Sequence, residues 1–323
     1  MSDVLKSIQL SNGNGMQVTL LNYGARIASV QFNDQEMLVT YDDVHDFLND
    51  DFYLGATCGR VCNRISGAGF SLDGESYTLA QNNGGNCLHG GINNFSYRYW
   101  TIEEDSVTEQ SVTLTLISED GDEGFPGKAS IAVTYRLTGD NQLHIDYRAN
   151  TDKATPINLT NHAYFNLGAV DGNSLELQLM ASSCLNRNEN EMPDGSFRSL
   201  LGTDYNFREL SQVGLRQQQS QDPELLAMGG FDHCYILDNA PFHQAKARLV
   251  AKQQGVEMRL YTDQSAIQLY TGKYLDSPFQ PYQGLCLEAQ NYTDAVNQQH
   301  FPNSILRPGQ TYQQTIVYEF KAL

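Results

Sequence analysis

The feature that most constrains the fold is an alternation of apolar and polar residues with a period of two. Five runs show it, at residues 112–116, 131–137, 143–147, 256–260 and 316–320. Alternation places one face of a β-strand against a core and the other toward water or a second layer. Turn-forming pairs such as Asn12-Gly13 and Asp73-Gly74 lie between such runs. The pattern therefore predicts an antiparallel, all-β chain of many strands.

Helical periodicity is scarce by comparison. Residues 208–228 are the best candidate, but Gly214 and Pro223 interrupt them, so any helix there should be short. We find no internal repeat and no linker in the 323 residues, and all-β sandwiches often reach this length as one unit. We expect one domain over residues 1–323, folded as a large antiparallel two-sheet β-sandwich with few short helices.

The net charge of the chain limits the kinds of molecule that it is expected to bind. The chain has 38 acidic and 20 basic residues, a formal net charge of −18. Such a field repels nucleic acid and anionic membrane surfaces, and no stretch is long and apolar enough to cross a membrane. A neutral small molecule is the ligand that fits this balance most easily.

The six cysteines do not form a recognisable framework. Residues 1–6 lack a basic segment followed by an apolar run, so a secretory signal is not expected. We therefore interpret the cysteines as reduced thiols of a cytoplasmic protein. No pair forms a CxxC motif, and Cys58 and Cys62 have no matching second pair, so a metal site is not expected.

Five short segments break the alternation with clustered polar residues and glycines. They are residues 59–65, 86–91, 158–166, 229–233 and 287–291. Polar groups this dense among strand-forming residues are costly to bury unless they are hydrogen-bonded or used. Their convergence would suit a sugar, which needs many fixed donors and acceptors.

Each residue of these segments, taken alone, has a structural explanation beside the functional one. His162 and Glu288 could be paired structurally or transfer protons. His89 precedes Gly90-Gly91, where a tight turn could bring the backbone close to a ligand. Asp232 could merely cap a turn. Two further groups have only structural interpretations: Arg60 and Arg64 could pair with the excess acid, and His144 fits a surface position on the polar face of a strand.

The order of the segments favours the functional explanations over the structural ones, because together the segments resemble the aldose 1-epimerase (galactose mutarotase) family. The matching stretches, in the family's order, are Gly59-Arg60-Val61-Cys62-Asn63-Arg64-Ile65, Asn86-Cys87-Leu88-His89-Gly90-Gly91, Thr155-Pro156-Ile157-Asn158-Leu159-Thr160-Asn161-His162-Ala163-Tyr164-Phe165-Asn166-Leu167, Gly230-Phe231-Asp232-His233, Gln268-Leu269-Tyr270-Thr271-Gly272 and Leu287-Glu288-Ala289-Gln290-Asn291. The resemblance extends over essentially the whole chain.

The resemblance implies a fold, a reaction and a site. The fold would be the galactose mutarotase-like supersandwich, and the reaction the interconversion of α and β anomers of free aldohexoses without cofactor or metal. Glu288 matches the family's general base and His162 its general acid. The positions that match sugar-binding residues are Asn63, Arg64, His89, Asp232 and Gln268. The family likeness is compatible with a monomer or a weak homodimer.

Some alternatives stay open at this point. A glycoside hydrolase usually employs two carboxylates, and Asp232 is the only second carboxylate in a motif. A hexose-6-phosphate epimerase would need cationic groups beyond Arg60 and Arg64. A non-catalytic sugar-binding protein could have lost Glu288 or His162, but both are present. Tyr292 stands where some family members have Trp, which leaves the aromatic partner of the sugar undetermined.

Overall fold

The computed structural model describes residues 4–188 and 190–323, whose regular secondary structure is predominantly β-strand. The strands are β1 Ser7–Ser11, β2 Met16–Leu21, β3 Arg26–Phe32, β4 Gln35–Glu36, β5 Thr57–Cys58, β6 Arg64–Ile65, β7 Gly69–Leu72, β8 Glu75–Thr78, β9 Cys87–Leu88, β10 Thr101–Ile102, β11 Ser111–Ser118, β12 Ala129–Leu137, β13 Gln142–Thr151, β14 Thr155–Pro156, β15 Thr160–Asn161, β16 Tyr164–Phe165, β17 Glu176–Leu179, β18 Ala181–Arg187, β19 Pro193–Ser199, β20 Ser211–Gln212, β21 Asp232–Leu237, β22 Ala247–Ala251, β23 Val256–Thr262, β24 Ala266–Tyr270, β25 Leu285–Gln290, β26 Ile305–Leu306 and β27 Tyr312–Ala322.

Helices are few and short, as the sequence predicts. The two α-helices, α1 Val213–Gln219 and α2 Pro223–Met228, both lie within residues 208–228. Asp222 caps α2 by accepting hydrogen bonds from the next turn's amides, and Pro223 occupies the first helical position, where its missing N–H costs nothing. Short 3₁₀ segments occur at Val44–Asn49, Ser66–Ala68, Phe95–Tyr97, Glu104–Ser106, Asp122–Gly124, Gly172–Ser174 and Ala295–Asn297.

The strands form two large layers. A nine-stranded sheet has the order β10-β11-β12-β13-β27-β23-β22-β17-β20, and all five alternating runs of the sequence lie in it. Opposite it stand a six-stranded sheet, β16-β25-β24-β21-β18-β19, and a four-stranded sheet, β1-β2-β3-β4. A bridge between Leu38 and Phe165 joins these two. Every strand pair in the three sheets is antiparallel, which confirms the predicted fold class.

One continuous apolar core fills the space between the layers. Leu285, Leu287 and Ala289 of β25 point into it and pack with residues of β13 and β27. Because side chains alternate along a strand, Cys286 and Glu288 point to the opposite face of the six-stranded sheet. Because one face of β25 is buried in the core, Cys286 and Glu288 on its opposite face are available for a site.

Three further observations bear on the sequence expectations. Within residues 4–188 and 190–323, no helix is long and apolar enough to cross a membrane. All six cysteines are buried and unpaired. His144 lies on β13 away from the core, half-buried rather than at the open surface, with Nε2 3.2 Å from Gln142 Oε1.

Candidate active site

A cavity of about 280 Å³ opens beside the outer face of the six-stranded sheet, and all five polar segments of the sequence contribute to it. The side chains that the sequence analysis singled out and that line it are Asn63, Arg64, His89, His162, Asp232 and Glu288. The convergence predicted from the segments is therefore observed. Gln268 is the exception, since it lies behind Asp232 and does not line this cavity.

Glu288 lies in β25, the strand beside β16 in the six-stranded sheet. Its strand register pairs it with Gln268 of β24. The side chain is 2% exposed, and Oε2 has no hydrogen-bond partner among the described residues. Leaving a buried polar atom unpaired costs about 1–3 kcal/mol, and more for a charged group. The fold therefore maintains this carboxyl group at a cost in stability, as is common for groups that act on a ligand.

His162 stands directly beside this carboxyl group. Nε2 lies 3.7 Å from Glu288 Oε1, and the imidazole is as deeply buried as its partner. Its backbone is held on both sides, because its N–H donates to Ala56 and its carbonyl accepts from Gly55. The ring is packed by His89 at 5.2 Å and by Tyr164 at 5.1 Å between centroids.

Burial shifts the pKa values of Glu288 and His162 in opposite directions. It raises the pKa of Glu288 well above its ordinary value, and the negative charge of Asp232 adds to this effect. It lowers the pKa of His162 to about 4, against a smaller opposing effect of hydrogen bonding to its own backbone. The low-dielectric surroundings disfavour the charged form of each group. If the pair carries one proton, the preference of that proton for His162 over Glu288 is therefore smaller than it would be in water.

His89 is held in one tautomer by a tight turn. The backbone N–H of Asn63 donates to His89 Nδ1 at 3.2 Å, so a neutral His89 carries its proton on Nε2. Burial, with the charges of His162 and Arg64, lowers the pKa of His89 well below its usual value, so the ring stays neutral. Gly90 follows with φ +96°, and a Cβ there would lie 2.2 Å from the carbonyl oxygen of Gly59. Only glycine fits this approach, and the turn presents His89 as a hydrogen-bond donor.

Arg64 and Asp232 form the charged side of the cavity. Arg64 Nη1 lies 3.7 Å from Asp232 Oδ2, and Arg64 Nε donates to Asn83 at 2.9 Å. Burial alone would raise the pKa of Asp232, but the guanidinium groups of Arg64 and Arg187 and the amide of Gln268 outweigh it and lower the pKa. Gln268 Nε2 donates to Asp232 Oδ1 at 2.5 Å. Asp232 is thus an ionised, oriented acceptor at the cavity wall.

Several cavity residues were not singled out by the sequence analysis. Asp51, Phe52 and Tyr53 lie in an irregular loop, and Tyr53 has φ +60° and packs on His89 at 4.6 Å between centroids. Tyr270 and Tyr274 line the mouth and stack on one another. These aromatic residues offer the apolar contact that the sequence left undetermined.

Two residues weighed in the sequence lie elsewhere. Tyr292 packs against Phe197 and Phe301 and does not line the cavity. Arg60 is buried away from the cavity, where its guanidinium donates to the carbonyls of Pro126 and Gly127 and to Ser118. The interpretation of Arg60 as an ion-pair partner is not observed among the described residues, because its guanidinium donates to backbone carbonyls and hydroxyl groups that the sequence does not reveal.

The cluster of His89, His162 and Glu288 has donor atoms within 4.8 Å of one another, a spacing that could suggest a metal. Histidine ligands normally bind through one nitrogen and donate the other N–H to an acceptor. His89 Nδ1 instead accepts from Asn63, which leaves its Nε2 protonated and without a lone pair for an ion. The donor set thus favours hydrogen bonding to a ligand over resident metal binding.

Comparison with known proteins identifies the family. The family model "Aldose 1-epimerase" matches residues 6–319. A galactose mutarotase of Bos taurus is 34% identical over 94% of this chain and 91% of its own, and an aldose 1-epimerase of Escherichia coli K12 is 33% identical over 98% and 95%. The crystal structure of a GalM/aldose epimerase homologue from C. elegans superposes with a TM-score of 0.92 at 31% identity, covering 99% of this chain and 100% of its own. The chain belongs to the aldose 1-epimerase family.

Proposed function

We propose that this protein interconverts the α and β anomers of free aldohexoses such as glucose and galactose, with Glu288 as general base and His162 as general acid. Asn63, Arg64, His89 and Asp232 would hold the sugar hydroxyls and ring oxygen. Gln268, expected from the resemblance to contact a hydroxyl, donates to Asp232. We assign it the role of fixing the orientation of that carboxylate.

One observation carries the proposal. The buried, partly unpaired carboxyl group of Glu288 lies 3.7 Å from the imidazole of His162 at the wall of a cavity of about 280 Å³. A structural pair would be expected to satisfy its oxygens, whereas this pair leaves Oε2 without a partner. An acid and a base side by side, facing an open space, are what ring opening of a hemiacetal requires.

The reaction follows from the proton count of the pair. Glu288 takes the proton of the C1 hydroxyl as the bond from C1 to the ring oxygen breaks, and His162 gives its proton to that oxygen. The aldehyde turns about the C1–C2 bond, and the same transfers in reverse close the ring on its other face. The pair carries one proton throughout, first on His162 and then on Glu288. The opposite pKa shifts bring these two states closer in energy.

His89 and Asp232 complement this exchange. The Nε2–H of His89 is a fixed donor beside the pair, suited to the ring oxygen as charge develops there. The ionised Asp232 accepts from hydroxyl groups, and Arg64 donates. A positioned general acid or base, here His162 or Glu288, typically contributes about 100- to 10,000-fold to a rate.

The charges of the cavity oppose a sugar phosphate as substrate. Among the described residues that line it, Arg64 is the only cation outside the Glu288–His162 pair, and it faces Asp232 and Glu191, while Asp51 adds negative charge. Arg60 lies elsewhere. A hexose-6-phosphate would bring about two more negative charges into this field, so a neutral sugar fits better.

Methyl glycosides separate the proposal from a hydrolase and from a binding module. They have no proton on the C1 oxygen, so Glu288 has nothing to remove and the ring stays closed. We expect faster mutarotation of fresh α-glucose and α-galactose by polarimetry, and methyl glycosides that are inert and at most weak competitive inhibitors. Release of methanol would indicate a hydrolase. Binding of the free sugar without faster anomer exchange would indicate a binding protein.

We further propose a cytoplasmic protein that acts as one domain over residues 1–323, as a monomer or weak homodimer. Six buried, unpaired thiols suit a reducing compartment. Size-exclusion chromatography with light scattering tests the state of assembly, because an obligate oligomer would elute at a constant multiple of 36.1 kDa at every concentration.

A further inference from the structure

The second ring nitrogen of His162 has a partner that the reaction above does not use. Nδ1 lies 3.6 Å from the sulfur of Cys286, 124 residues away in the chain. Cys286 is fully buried on β25, two residues before Glu288, so both side chains emerge on the same face of the strand. One strand therefore contacts the imidazole twice, through sulfur at Nδ1 and through the carboxyl group at Nε2.

We propose that Cys286 is a positioning residue whose sulfur accepts the Nδ1–H of His162, and so keeps Nε2 as the nitrogen that exchanges a proton with the sugar. This inference depends on the proposed function for its effect on rate. It concerns the orientation and tautomer of His162, whereas Cys286 itself touches no reacting atom.

Proton counting supports the assignment. An imidazolium has protons on both nitrogens, and when Nε2 gives its proton to the ring oxygen, the neutral ring that remains carries its proton on Nδ1. An N–H at Nδ1 therefore persists through the whole cycle and needs an acceptor. The other close neighbours of the ring are the aromatic side chains of Tyr53, His89 and Tyr164, and the backbone of His162 itself also offers the ring a hydrogen bond. Cys286 is the side chain in hydrogen-bond contact with Nδ1.

The choice of sulfur has a chemical consequence. Burial, together with the nearby charge of Glu288, raises the pKa of Cys286 well above its ordinary value, so the group stays a neutral thiol. A neutral thiol is a weak acceptor. A carboxylate in this position would stabilise the imidazolium and make it a poorer acid. A thiol orients the ring while leaving the pKa of His162 near 4, which suits donation to a weakly basic ether oxygen.

The test combines a spectroscopic and a kinetic measurement on the full chain. In protein labelled with ¹⁵N-histidine, the nitrogen shifts distinguish a protonated from a bare ring nitrogen, and comparison with His162→Asn identifies the signals of His162. At pH 7 we expect the wild type to carry its proton on Nδ1. Cys286→Ala should move His162 to a mixture of tautomers. It should also lower kcat about three- to tenfold, the range that loss of one hydrogen bond allows, with KM changed less than about twofold.

Cys286→Ser keeps an acceptor of similar shape and should restore both the tautomer and most of kcat. Cys184→Ala is the matched control, because Cys184 is an equally buried thiol in the main core, and it should change neither measurement. Retention of the Nδ1–H tautomer in Cys286→Ala would overturn the proposal, even if no other variant folded. So would a tautomer change without loss of kcat. Absence of mutarotase activity in the wild type would instead refute the proposed function, since the tautomer of free His162 is measured without substrate.

Discussion

Replacing Glu288 with Gln should slow the enzyme and stabilise it at the same time. Gln keeps the shape of the side chain and its hydrogen-bonding capacity but cannot accept the C1 proton. Loss of a general base typically costs about 100- to 10,000-fold in rate. Since Glu288 faces the cavity beside His162, the loss should fall on kcat.

The stability effect follows from the raised pKa of Glu288. When a carboxyl group has a higher pKa folded than unfolded, the folded state binds more protons between the two values. The free energy of unfolding then falls as pH rises through that window. The wild-type protein therefore loses stability as pH rises above the unfolded pKa, near 4.5. The Glu288→Gln variant has no such loss, because its amide does not ionise. Each pKa unit of displacement corresponds to about 1.4 kcal/mol.

The size of the gain can be bounded from the environment of the carboxyl group. Gln leaves a neutral amide atom without a partner where Oε2 stands, so it recovers only the extra cost of burying a charge there, and we expect a gain on the order of 1–3 kcal/mol at pH 7. In domains of 150–250 residues, 1 kcal/mol shifts Tm by roughly 2–4 °C. At pH 4, where the carboxyl group is largely protonated in both states, the difference between the two proteins should nearly vanish.

The assays are polarimetry on fresh α-glucose and α-galactose, and thermal unfolding at pH 7 and pH 4. Glu36→Gln makes the same chemical change in a half-buried carboxyl group of β4, which is hydrogen-bonded to Ser29 and Gln31, and should leave kcat within about twofold. Retention by Glu288→Gln of more than about a tenth of the wild-type rate would refute the base assignment. A lower Tm at pH 7 would refute the argument that the fold tolerates Glu288 at a cost.

Three further predictions concern the acid, the pH profile and the absence of metal. His162→Asn should lower kcat far more than it changes KM, since the acid acts in the transition state; His144→Asn, outside the cavity, should be almost silent, and similar losses in both would require the site to be redrawn. Because burial lowers the pKa of His162 to about 4, a second proton should abolish kcat/KM only below about pH 4, whereas an acid limb centred near 6.5 would contradict this environment. Dialysis against a chelator should leave activity unchanged; activity lost in this way and restored by a metal would contradict the tautomer assigned to His89.

The class of fold and most of the site residues can be predicted from the amino-acid sequence. Alternation of period two identifies strands and their buried faces, because burial on one side of a strand is a local property of neighbouring residues. It predicted five of the nine strands of the large sheet, β11, β12, β13, β23 and β27, and confined the α-helices to residues 208–228. The five polar segments, read with their family resemblance, supplied six residues of the cavity wall.

The contacts between those residues depend on how the chain packs in three dimensions. Cys286 lies behind His162, Gln268 lies behind Asp232, and Arg60 turns to backbone carbonyls. The tautomer of His89 likewise depends on the amide of Asn63 across a turn. Alternation shows which residues share a face but not which side chain lies opposite them. Contacts such as that between His162 and Cys286 join positions 124 residues apart, and only the packing of strands distant in sequence brings them into register.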